Sequence, residues 1–260
     1  MSVRTFFGAS AAALAFAGTA NATITTTAST DAVALADALA GEGVNISNAT
    51  LSGTAVNGAG FFSGGSAAGL GFDQGILLAT GDVANAEGPN DSDSLTGPGS
   101  STTLSFDFTT TTGGVFFQYV FGSEEYEEFV GSTYNDTFTL LINGVNVALI
   151  PGTSTGVAIN NVNQTSNTAY YRSNVAGVFD LQYDGFTTVL TATATGLDTV
   201  GVNTALFSIT DVDDASYDSG VFIRGGSLSV DPPGEVPAPG ALGLLGLGVL
   251  GLALRRRKLA

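Results

Sequence analysis

Thr137-Phe138-Thr139-Leu140-Leu141-Ile142, then Asn143-Gly144, then Val145-Asn146-Val147-Ala148-Leu149-Ile150 is the stretch that decides the fold. Asn-Gly supplies the two positive φ angles of a type I′ turn, whose twist matches a pair of antiparallel strands. Phe138, Leu140 and Ile142 alternate on one arm, and Val145, Val147 and Leu149 on the other. A hairpin with this pattern presents all six to a common buried face.

Working outward, the same signals recur along the chain. Strands are expected over 44–51, 75–80, 104–108, 115–121, 186–195, 205–210 and 220–230, beside the two arms 137–142 and 145–150. Residues 115–121 are apolar at nearly every position, which predicts a central strand covered on both faces. Residues 104–108 alternate and predict a half-exposed one. Thr187, Thr191, Thr193 and Thr195 share one strand face and are expected to be ordinary solvent-facing β-formers. One helix is predicted: Ser29, Thr30 and Asp31 offer caps before the Ala-rich stretch 32–40, and Gly41 stops it. The sum is an all-β, two-sheet sandwich or jelly-roll-like domain with one short N-terminal helix. No fixed-period repeat supports a solenoid.

Composition narrows the chemistry. The 260 residues include 36 glycines but neither cysteine nor histidine. Disulfides, thiol nucleophiles, the usual general base, the common serine triad and the usual zinc or copper ligands are therefore excluded. The net charge is −16, and five of the seven basic residues (Arg4, Arg255, Arg256, Arg257 and Lys258) lie in the terminal segments. Between them stand only Arg172 and Arg224, against all 23 acidic residues. Such a field repels nucleic acid and anionic lipid and attracts divalent cations, so no nucleic-acid partner is expected.

Both ends read as addresses. Residues 1–22 carry a basic start at Arg4, an apolar run and the small-residue site Ala20-Asn21-Ala22, the pattern of a cleaved secretory signal peptide. A domain is expected over 23–231. Residues 232–239 form a proline-rich spacer, extended because proline fixes φ. Residues 240–260 then hold a 15-residue uncharged run, 240–254, followed by Arg255-Arg256-Arg257-Lys258. As a C-terminal apolar helix that run would reach about 22 Å, a marginal membrane span, with the basic cluster as a stop-transfer signal that keeps the C-terminus cytoplasmic.

Two acidic clusters are the candidates for chemistry. Ser123-Glu124-Glu125-Tyr126-Glu127-Glu128 precedes Asn135-Asp136, and Asp211-Val212-Asp213-Asp214 precedes Tyr217-Asp218-Ser219. Each adjoins a predicted strand, so both are expected on loops held by sheet edges. Hard oxygen donors without imidazole suit calcium. The candidate calcium ligands are Glu124 or Glu125, Asp136, and one or more of Asp211, Asp213 and Asp218; the bland alternative is a solvated acidic loop. A carbohydrate-active enzyme is the second functional reading, with Glu124 or Glu125 paired with Asp136 or Asp218. Tyr126, Tyr170 and Tyr171 could stack on sugar or simply pack.

Two resemblances follow from particular residues. Val236-Pro237-Ala238-Pro239, the apolar run and the arginine cluster together resemble the PEP-CTERM sorting tag, with Ala238 where the tag usually has Glu. That resemblance implies an exosortase partner that cuts near the proline motif, transient inner-membrane anchoring, and delivery to the surface or extracellular matrix of a Gram-negative-type bacterium, commonly an exopolysaccharide producer. Residues 72–81 with Gly88-Pro89-Asn90, residues 119–126, Phe129-Val130-Gly131 with Asn135-Asp136, residues 148–152, 159–163 and 184–190, and residues 217–222 together resemble the choice-of-anchor L domain. This implies an exported, anchored domain more than an activity. The expectation is a non-enzymatic surface or matrix protein, adhesive, structural or associated with exopolysaccharide, and rigidified by calcium.

Overall fold

Two antiparallel sheets pack face to face, with no closed barrel, in the computed structural model, which describes residues 23–92, 100–213 and 216–234. The expected signal segment 1–22, the motif Val236-Pro237-Ala238-Pro239, the apolar run 240–254, the basic cluster and Asp214 lie outside these residues. Among the described residues no helix is long and apolar enough to cross a membrane.

The elements run β1 (Thr25–Ala28), α1 (Ala32–Asp37), β2 (Val44–Gly53), β3 (Ala59–Ser63), β4 (Gly75–Ala79), β5 (Ser101–Thr110), β6 (Gly114–Ser123), β7 (Thr137–Ile142), β8 (Val145–Asn146), β9 (Tyr171–Ser173), β10 (Gly185–Thr187), β11 (Leu190–Thr195), β12 (Asn203–Thr210) and β13 (Ser219–Arg224). The eight-stranded sheet has the order β1-β3-β4-β13-β6-β10-β9, with β11 also on β6, and the five-stranded sheet the order β2-β5-β12-β7-β8. Ten-residue β6 is long enough to seat β11 along 114–119 and β10 at 122–123.

Alternation explains which sheet face is buried. Val115, Phe117, Tyr119 and Phe121 of β6 enter the core between the sheets with Leu104, Phe106 and Phe108 of β5 and Phe207 and Ile209 of β12. Phe117 meets Phe207 edge-on at 5.2 Å and Tyr119 meets Phe138 at 5.0 Å, so two ring pairs bridge the sheets. Such contacts contribute about 0.5–1.5 kcal/mol each beyond area burial. The outer face of the large sheet is also covered, since Leu77, Val120, Phe222 and Tyr183 join Phe72, Val83 and Leu181 in a second cluster. That double cover is why 115–121 reads as continuously apolar.

Several expectations are corrected in detail. The second hairpin arm departs from the predicted alternation: Val145, at the hairpin tip on an edge strand, is 65% exposed, and beyond Asn146 it is Ala148 and Ile150 that are buried. The cause is Asn146, whose Oδ1 accepts from Leu140 N (3.3 Å) and Ala148 N (3.0 Å) in place of a ladder carbonyl and shifts the parity by one. The helix is shorter than 32–40. It starts on Asp31, whose Oδ1 accepts from Val33 N and Ala34 N, and it tightens after Asp37 through Leu39 N to Ala36 O and Ala40 N to Asp37 O.

The expected strand 186–195 divides at Thr188-Val189 into β10 and β11. There Thr187 is turned inward and its Oγ1 accepts from Phe121 N at 3.0 Å, while Thr191, Thr193 and Thr195 face solvent. The expected strand 220–230 ends at Arg224, where Gly225-Gly226 turns the chain, Gly226 with φ +67°. It pairs again as isolated bridges at Leu228 and Ser229. Strands β1, β3 and β9 were not expected; β1 is a run of threonines with no apolar alternation to mark it.

Candidate functional site

The acidic segments meet where β6 ends and β13 begins. Ser123 pairs with Ser219 and Gly122 with Gly220, and just beyond that ladder Glu124 N donates to Asp218 O at 3.0 Å. Thr80, after β4, closes the other side: its N donates to Ser219 O at 2.9 Å, and its Oγ1 accepts from Ser219 N at 2.9 Å. Asp136 stands directly before β7 in the opposite sheet. Its Oδ1 accepts from Val212 N at 2.9 Å, which ties the start of β7 to the segment after β12. Asp211, at the end of β12, donates its backbone N to Ser100 O at 3.0 Å.

Burial separates the candidate residues. Glu124, Glu125, Asp136, Asp211 and Asp218 are 0–3% exposed, whereas Asp213 is exposed in a left-handed conformation with φ +76°. The solvated-loop reading therefore describes Asp213 and Glu128 but not the other five. Carboxylates in such a site carry a large desolvation cost unless protonated, hydrogen-bonded or neutralised by a cation. The domain's two arginines are engaged elsewhere: Arg172 Nη1 donates to Gly69 O at 2.6 Å and its guanidinium lies 6.0 Å from the Phe186 ring centre, and Arg224 Nη1 donates to Gln118 Oε1.

Asp218 shows the cost directly. Burial pushes its carboxyl up to about 6, against the hydrogen bond that Asn85 Nδ2 donates to its Oδ2 at 2.5 Å, and the charge of Asp82 adds to the rise. The wholly buried Tyr183 phenol is held well above the usual tyrosine range, by burial first and then by the charges of Asp218, Glu124 and Asp136. Tyr183 is thus in electrostatic reach of three of the candidates. It was not singled out from sequence, because a lone tyrosine between Gln182 and Asp184 carries no mark of its own.

The aromatic candidates resolve as packing. Tyr126 is fully buried, its hydroxyl donates to Val162 O at 2.6 Å, and its ring lies 4.9 Å from Tyr171. Tyr171 donates its hydroxyl to Glu127 Oε1 at 3.1 Å. Among the described residues no group of three or more Asp or Glu side chains is placed so that it encloses a metal ion. Among the described residues the arrangement keeps these carboxylates buried at one sheet end.

Comparison with family models gives two matches. Residues 23–229 match the choice-of-anchor L domain, and residues 235–258 match the PEP-CTERM protein-sorting motif. No curated protein and no solved structure matches the chain.

Proposed function

The chain belongs to the choice-of-anchor L family, and from that membership we propose that it is a non-enzymatic structural or adhesive domain of the bacterial surface, held in or released into exopolysaccharide. Its PEP-CTERM motif indicates export and exosortase-dependent sorting to the cell surface. The observation that carries the proposal is the order of the two matches: a surface-associated domain over 23–229 runs directly into a sorting motif over 235–258. The transient membrane stage belongs to the same proposal, with the run 240–254 as the holding segment and Arg255, Arg256, Arg257 and Lys258 as its cytoplasmic stop.

Burial favours this reading over a glycosidase. Glu124, Glu125, Asp136 and Asp218 are 0–1% exposed, so a sugar chain would reach them only if the sheet end opened. Glycoside hydrolysis needs both carboxyls against the scissile bond. The test is to fractionate producer cells and digest their polysaccharide. Co-release of the chain with the polysaccharide is expected, with no reducing-sugar production by the purified chain. Reducing-sugar release that Glu124→Gln or Asp136→Asn abolishes would establish the enzyme instead.

A further inference from the structure

The outer face of the large sheet ends in a row that has no apolar residue. Across β4, β13 and β6 the register aligns Leu77 with Phe222 and Val120, then Ala79 with Gly220 and Gly122. One step further along the same face come Gly81, Asp218 and Glu124. A Cβ built on Gly81 would lie 2.4 Å from both Asp218 carboxylate oxygens, and Glu124 N is bonded to Asp218 O. The Tyr183 ring lies over the glycine row. A Cβ on Gly122 would stand 2.7 Å from its Cδ2, and one on Gly220 would stand 2.4 Å from its hydroxyl. The phenol oxygen lies over Gly220, one row short of Asp218 and Glu124, and within reach of their charges.

Three buried oxygens at this end make no hydrogen bond among the described residues: Tyr183 Oη, Asp218 Oδ1 and Ser219 Oγ, all in residues that are 0% exposed. A buried polar atom left unmatched costs roughly 1–3 kcal/mol. An unmatched phenol oxygen and an unmatched carboxylate oxygen in neighbouring rows, with both arginines bonded elsewhere, form an environment that a cation would relieve.

We propose that this sheet end binds one divalent cation of the calcium class, with Asp218 Oδ1 and Glu124 as ligands from the large sheet and Asp136 as the ligand from the small one. Calcium takes six to eight oxygens in flexible geometry. As the side chains stand they do not enclose an ion, so binding draws Glu124 and Asp136 inward, and backbone carbonyls and water complete the shell. Tyr183 Oη donates to a ligand carboxylate or to ion-bound water. The ion would join β6 and β13 to the start of β7, tying the two sheets at one end. Asp213, which is exposed, takes no part. The inference stands apart from the sorting reading, since it concerns only the folded domain.

The test is calorimetric titration of the full chain in detergent, first stripped with EDTA, with calcium chloride and separately with magnesium chloride. Uptake of one calcium per chain is expected, with magnesium at least tenfold weaker. Asp218→Asn and Glu124→Gln should each weaken calcium binding at least tenfold, and Asp213→Asn should leave it unchanged. Asp218→Asn should melt in EDTA at or above the wild-type temperature, which separates loss of a ligand from loss of the fold; if it does not fold, Glu124→Gln decides. Terbium added to the stripped chain should emit on tyrosine excitation, and Tyr183→Phe should reduce that emission while calcium uptake persists. No calcium uptake at millimolar concentration overturns the proposal. So does wild-type uptake by both ligand variants, or an equal loss in Asp213→Asn, which would mean diffuse attraction to an acidic surface.

Discussion

Glu124 N donates to Asp218 O across 3.0 Å, so the first residue beyond β6 and the last residue before β13 are fixed side by side. Their side chains fall on the same sheet face because directly opposed positions of an antiparallel pair share a face. Gly81 completes that row, and its lack of a side chain is what leaves room for the Asp218 carboxylate.

Gly81→Ala should therefore destabilise the fold. The added methyl would stand 2.4 Å from both Asp218 oxygens, and overpacking of this kind costs about 1–3 kcal/mol. Gly113→Ala, whose Cβ would meet nothing nearer than 4.0 Å, should change stability by less than about 0.5 kcal/mol. Urea unfolding of both variants measures the contrast. Equal stability of the two would mean that the row is not packed as described.

Asp218 gives a pH dependence of defined sign in metal-free solution. Its carboxyl titrates near 6 when folded and near the ordinary carboxylate value of about 3.9 when unfolded. Between those values the folded state binds more protons, so the contribution of this group is fully present below about pH 4 and is lost as pH rises through about 6. Wild-type stability in EDTA should fall relative to Asp218→Asn by an amount on the order of 3 kcal/mol between pH 4 and 7. A difference that is flat, or that rises with pH, would show that Asp218 is not a costly buried acid.

Two tyrosine substitutions should behave oppositely although both remove one buried hydroxyl. Tyr126→Phe takes the donor from Val162 O, which now accepts at 2.6 Å, and should cost about 1–3 kcal/mol. Tyr183→Phe removes an oxygen that makes no hydrogen bond among the described residues and should be neutral or stabilising in EDTA. Denaturant melts of both variants in EDTA check this. A comparable loss in Tyr183→Phe would mean that its hydroxyl has a structural partner.

Much of the fold was legible because alternation reports burial. The apolar run 115–121 predicted a doubly covered strand, and β6 is one, with Phe117 in one core and Val120 in the other. The hairpin after Asn143-Gly144 was legible for its turn but not for its second arm. There a side chain, Asn146 Oδ1, takes the place of a backbone acceptor, and hydrophobic pattern does not register that exchange. At the site, residue type identified Glu124, Asp136, Asp211 and Asp218 without revealing that they are buried. An acidic residue looks the same whether it meets water or the end of a neighbouring strand, and only the β6–β13 register distinguishes buried Asp218 from exposed Asp213. Tyr183 and Gly81 gave no signal, because their role lies in the space one leaves for the other's neighbour.

Sorting can be tested at the proline motif without touching the domain. Val236, Pro237, Ala238 and Pro239 fall inside the matched sorting motif, and proline is the residue type whose ring fixes φ. Replacing Pro237 and Pro239 with Ala frees φ at both positions and should leave the tail uncut, with the chain accumulating in the inner-membrane fraction and little at the surface. The described domain is held upstream, as where Val230 N donates to Glu42 O, so melting of the domain should not change. Surface delivery equal to wild type would refute a role for the prolines in processing, and a lowered melting temperature would show that the spacer supports the fold.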